Sequence, residues 1–168
     1  MAQVRASLLE VSFLTRRMVE WSIVVGAILV LVLVFARQVS VLKGQAELSA
    51  VKTTLGALRT AFVLEHLQSK VVSRALPVGL VQHNPFELLQ RYPVNYLGEV
   101  TDAAAQTLPP GSWVFDPACT CVGYLPLHAE WLDSPSGDVM AWFRVEGELG
   151  PLQLKVKEIY SWHGQELN

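Results

Sequence analysis

Cys119 and Cys121, separated only by Thr120, are the two thiols of this 168-residue chain. In an oxidising compartment they can join, but one intervening residue closes a very small ring, which is unusual for a structural bridge and open to reduction. Three roles stay open: free or loosely bridged cysteines at a hairpin tip, a bond to another subunit, or a redox-active pair. A metal site would need a second pair of ligands, and His128, a lone candidate, more simply fills a strand position. The expectation is no metal and no cofactor. There is also no phosphate-cradling glycine loop with its lysine, no nucleophile elbow and no HExxH, and Asp116, Asp133 and Asp138 do not have calcium-loop spacing. Those carboxylates read as solvated turn and strand positions, and the chain is not expected to be an enzyme.

The other residue with chemical potential is Glu20, the one carboxylate in the apolar run of residues 18–36, MVEWSIVVGAILVLVLVFA. An ionised carboxylate in hydrocarbon costs several kcal/mol unless it is paired, so such a residue tends to mark a contact. Arg16 and Arg17 precede it at helical i−4 and i−3 spacing. Pairing with them at the headgroups is the simple alternative to a contact with another subunit. Trp21 beside it reads as an interfacial anchor.

These residues sit on an element long enough to matter. Extended through Val39, Val41 and Leu42, the run spans a hydrocarbon core of about 30 Å as one helix. A cleavable secretory signal should have a shorter apolar core ending in small residues, whereas this run passes into Arg37 and a further helical pattern. Arg5, Arg16 and Arg17 lie before the span and Arg37 and Lys43 just after it, diluted by Glu47. The positive-inside rule then leaves the N-terminus in the cytoplasm and the rest of the chain across the membrane. The formal charge of −2 offers no basic field, so nucleic acid is not an expected partner.

Past the span, Val41, Leu48, Leu55 and Phe62 recur every seven residues, with Val51 and Leu58 between them. That spacing predicts one apolar stripe on a helix continuing to about Val72, with Lys43, Glu47, Lys52, Arg59 and Lys70 on the other faces. The whole helix is expected to be about 50 residues, ending near Arg74 ahead of Pro77 and Gly79. Asn84 can cap a short helix with Pro85 at its first position. The loop after it is irregular at Pro93, Asn95 and Gly98 and is pinned by Tyr92 and Tyr96. From Ser112 the chain turns β-branched and aromatic. Strands are expected at 113–115, 122–125, 139–145 and 152–162, giving an antiparallel sheet of three or four strands. Trp113, Trp131, Trp142 and Trp162 read as core.

The layout resembles the type IV pilins and the pseudopilins of type II secretion. The local match is VEWSIVV at residues 19–25, with Glu20 where that family carries its glutamate; NPFELLQRYPVNYLGE followed by PPGSWVFDP is similar to the domains of its minor members. Two positions depart from the pattern. The family's glycine and apolar residue at the processing site correspond here to Thr15 and Arg16, and its anchor-helix proline corresponds to Arg37. An arginine can snorkel to the interface in a membrane-resident protein, but is awkward inside a packed fibre.

The resulting expectation is an α+β, pilin-like chain: a tail at 1–17, a transmembrane helix at 18–42, its amphipathic continuation at 43–75, a short helix and loop at 76–111, and the sheet domain at 112–168. The resemblance implies a structural subunit of a type IV pilus or type II secretion apparatus. It would be single-pass in the bacterial inner membrane with a periplasmic domain, forming a homo- or hetero-oligomer. The contacts would run through Glu20, Ile23, Val24, Val25, Gly26, Ala27 and Leu31, with Gly26 and Ala27 permitting close approach. The alternative is a non-polymerising anchored protein whose outer domain is a thiol-redox or binding module built on Cys119 and Cys121.

Overall fold

A computed structural model of the protein describes residues 2–71, 83–100, 107–147 and 152–167, with helix side chains given from Arg16 onward. The chain divides into two units, Met1–Gln45 and Ala46–Asn168, each described here by itself. A single helix, α1 (Ala2–Val71), supplies the first unit and opens the second. At 70 residues it exceeds the expected 50, because the tail before the span is helical from Ala2 as well. No proline occurs before Pro77, so nothing in the sequence interrupts the hydrogen-bond ladder. The expected helix end near Arg74, with its punctuation at Pro77 and Gly79, lies outside the described residues.

In the second unit the helix buries the expected stripe from Leu48 onward, whereas Val41, expected to begin it, is exposed. Leu48, Val51, Leu55, Leu58 and Phe62 join one hydrophobic core with residues of the strands. The sheet consists of β1 (Tyr96–Glu99), β2 (Ser112–Asp116), β3 (Cys121–Leu125), β5 (Ala141–Glu146) and β6 (Gln153–Val156), in the order β1-β2-β3-β5-β6. A second, three-stranded sheet pairs β4 (Leu132–Asp133), β7 (Ser161–Trp162) and β8 (Gln165–Glu166). The protein is thus α+β with a mostly antiparallel sheet.

The details correct the sequence reading in three places. Residues around Tyr96, expected as irregular loop, form the edge strand β1, which runs parallel to β2. Gly98, at φ 102°, takes the left-handed region there. The stretch 152–162 is not one strand: β6 and β7 belong to different sheets, and the chain turns between them at Lys157 and Glu158. The main sheet has five strands rather than three or four, with a second sheet beside it, while the short helix forms as expected: a 3-10 turn, Pro85–Leu88, capped by Asn84, whose Oδ1 accepts the Phe86 N–H at 3.1 Å. The four tryptophans read as core are all buried.

A tyrosine completes the ladder where β6 gives out. The Tyr160 hydroxyl accepts the Trp142 N–H at 3.0 Å. Burial, the largest cause, pushes that hydroxyl up to about 12 from its ordinary 10. The folded state therefore keeps a proton that the unfolded chain releases near pH 10. The stabilisation is complete below pH 10 and is lost as pH rises toward about 12. Chemical unfolding between pH 8 and pH 12 should show this decline, and Tyr160→Phe should flatten it while costing about 1 kcal/mol at neutral pH, through the orphaned N–H. An unchanged slope in the variant would assign the decline to other groups.

Candidate functional site

The helix surface of the first unit carries the residues expected to make contacts. Ile23, Val24, Val25 and Leu31 are exposed, as are Trp21 and the run from Ile28 to Phe35. A Cβ placed on Gly26 would meet no atom within 4 Å. The apolar stretch is long enough to cross a membrane, and none of it is buried within the chain. Glu20 has a partner on its own helix: Arg16 Nε lies 3.6 Å from its carboxylate, and both side chains are largely exposed. An exposed i,i+4 pair of this kind contributes only about 0.3–0.5 kcal/mol, so it leaves the carboxylate available for a stronger contact. The second helix polar group nearby, Ser22, is satisfied locally, its Oγ donating to the Met18 carbonyl at 2.8 Å.

Cys119 and Cys121 are joined to each other by a disulfide across the β2–β3 turn. Of the readings left open, the turn position and an intrachain bond are what the structure contains. Cys121 is fully buried in β3 and Cys119 half-buried. Thr120 between them takes φ 55°, left-handed backbone that a β-branched residue rarely adopts. Asp116, expected at a solvated position, is instead buried at the end of β2, where it organises the same turn, its Oδ1 accepting the Ala118 N–H at 2.8 Å. Because the loop closed is so short, the chain-entropy contribution is only about 1.5 kcal/mol. Replacing both cysteines by serine should therefore lower unfolding stability by no more than about 2 kcal/mol and leave the fold intact; loss of folding would mean that the bond does much more than close the turn.

Glu47 is the residue that the sequence reading misplaced. Assigned to a solvated face, it is 7% exposed. Its Oε1 accepts both the Tyr124 hydroxyl and the Leu127 N–H, each at 2.8 Å. Its Oε2 is buried without a partner. Burial first, and then the hydrogen bond to Glu47 and that carboxylate's charge, hold the Tyr124 hydroxyl well above the usual tyrosine range. The spacing contained the signal: 47, 51, 55, 58 and 62 step by four, four, three and four, so Glu47 continues the buried stripe. Its chemistry is positional. It fixes the end of β3 and the following chain to the helix.

His128 also departs from expectation. It occupies the position before a 3-10 turn (Ala129–Trp131), without a side-chain capping bond, rather than filling a strand, and stands exposed with its ring 4.4 Å from that of Trp131. Among the described residues no three His, Cys, Asp or Glu side chains gather as a metal site would require. A groove of about 460 Å³ between Ala57, Ala61 and Leu64 of the helix and the Leu88, Leu89, Gln90 segment has Glu65 as its charged lining residue. The chain matches no family model, no curated protein and no solved structure.

Proposed function

We propose that this chain is a pilin-like structural subunit of a type IV pilus or type II secretion apparatus. It is anchored in the bacterial inner membrane by α1, with its outer domain in the periplasm, and assembles through that helix. The observation that carries the reading is the helix surface from Met18 to Phe35: almost wholly apolar, covered by none of the described residues, and headed by one carboxylate. A helix serving only as a tether uses Glu20 for no more than its exposed pair with Arg16, whereas a helix that packs against neighbours can also use it to fix register. Gly26 and Ala27 let a second backbone approach closely. The disulfide between Cys119 and Cys121 favours a second reading, an anchored periplasmic thiol-redox module.

Two variants separate these readings in the native membrane. A photo-reactive side chain at Ile23 or Leu31 should cross-link to another helix, and Gly26→Leu or Glu20→Ala should lower that yield about tenfold while the outer domain keeps its fold. Cross-linking to lipid alone would overturn the assembly reading. Dependence of function on Cys119 and Cys121, with Glu20→Ala silent, would support the redox module instead. Intact mass with and without prepilin peptidase divides the proposal further. A peptidase-dependent start near Arg16 marks a fibre subunit, and an unprocessed chain marks a permanently membrane-bound one.

A further inference from the structure

Off the helix, the large apolar side chains that the described residues leave exposed are Tyr92, Val94, Leu97, Leu127, Val139 and Ile159, with Val94 fully exposed. The strand register gathers them. Tyr96 lies opposite Trp113 in a parallel pair, Ser112 opposite Leu125, Tyr124 opposite Ala141, and Phe143 opposite Val156. The segments leading into β1, out of β3, into β5 and out of β6 therefore all leave the sheet at one end. Of the opposite end, the described turn at residues 117–120 exposes Pro117 and Ala118 but no large apolar side chain.

Charge divides this end itself into two sides. Residues 92–98, 107–115 and 122–127 contain no Asp, Glu, Lys or Arg. Farther across this end, Asp138 is 3.9 Å from Lys157, and the Glu158 carboxylate accepts hydrogen bonds from Ser134 and Ser136. The uncharged side is also cross-braced, with the Asn95 side chain donating to the Gly111 carbonyl and the Trp113 N–H to the Asn95 carbonyl.

We infer that this end docks on the lipid surface of the membrane, an inference that rests on the anchoring by residues 18–42 proposed above. Glu47 ties it to the helix through Leu127, and Glu47 lies only five positions after Leu42, the last of the apolar run. Even fully extended, five residues reach at most about 18 Å. An apolar-tipped surface, uncharged along residues 92–98, 107–115 and 122–127 and leashed that closely to the hydrocarbon boundary, is held at the headgroup layer, where burying exposed apolar side chains is favourable, while Glu130, Asp138, Lys157 and Glu158 stay toward water.

The test uses the full chain in phosphatidylethanolamine–phosphatidylglycerol vesicles, with a diazirine amino acid at Val94, Leu127, Ala118 or Leu29 and lipid adducts read by mass. Adducts at Val94 and Leu127 should exceed those at Ala118 by at least about fivefold. Equal yields at the three positions, with Leu29 labelled, would overturn docking and leave the anchor standing, as would protein–protein adducts at Val94 and Leu127 in place of lipid. An unlabelled Leu29 would remove the anchor and the docking together.

Discussion

Replacing Glu47 with alanine is expected to lower the unfolding stability of the second unit by about 3 kcal/mol, a shift of several degrees or more in its melting temperature. The carboxylate accepts two hydrogen bonds through one oxygen, from the Tyr124 hydroxyl and the Leu127 N–H. Removing it strands both donors, and the Tyr124 side chain is 4% exposed, so water cannot readily replace the lost acceptor. A hydrogen bond to a charged group contributes about 1.5–3 kcal/mol, against which stands the relief of desolvating a carboxylate whose second oxygen has no partner. Glu47→Gln separates the two. An amide oxygen still accepts both donors without the charge, so it should recover more than half of the loss. Tyr124→Phe should cost about 1–2 kcal/mol, and less in the Glu47→Ala background, because the pair shares one interaction. Chemical unfolding of the full chain in detergent, followed by tryptophan fluorescence, reads all four. Additive losses would show that the hydroxyl and the carboxylate act independently.

Glu47 also shows where reading the sequence stopped short. The stripe on the helix was legible because apolar residues at helical spacing admit one packing solution. Glu47 shares that spacing, but its polarity assigned it to solvent, and only its partners reveal why burial is tolerable. Those partners lie 77 and 80 residues away in the chain. The strands were legible at β2, β3 and β5, where aromatic and β-branched residues are bounded by turns. The strand β1 was not, because Tyr96-Leu97-Gly98-Glu99 carries a glycine and follows a proline loop, and its strand character comes from pairing with β2. The long apolar run and its exposed carboxylate are local properties and could be located directly. The tryptophans were correctly read as core, yet their arrangement in rows, Trp113 on Tyr124 and Trp131 beside Trp162, needs the register.

Substitution of Gly123 by valine should be the most damaging single change in the sheet, costing about 3 kcal/mol or more. Gly123 sits in the central strand β3 opposite Trp142 of β5. The Trp142 N–H goes to Tyr160 and its carbonyl to the Lys157 N–H, so neither bonds back across to Gly123. Such a pair brings the two backbones closest, at a Cα separation of about 4.5 Å. The indole lies directly over the glycine: a Cβ there would meet the ring carbons Cζ3, Cε3 and Cη2 at 2.6, 2.8 and 2.9 Å. Because Trp142 is itself 4% exposed, the ring cannot swing into solvent without uncovering the sheet. The glycine, usually unfavourable in a strand interior, is here what allows a tryptophan to cover that face. Alanine should cost about 2 kcal/mol, since the ring must still shift by several tenths of an ångström. The sharper expectation concerns the double variant. Trp142→Leu alone loses buried area, but once the ring is gone the Gly123→Ala penalty should fall by more than half, or change sign as the glycine's entropic cost is removed. Unfolding free energies for the four members of that cycle decide the matter: a penalty at Gly123 unchanged by loss of the indole would place its cause in the backbone of β3.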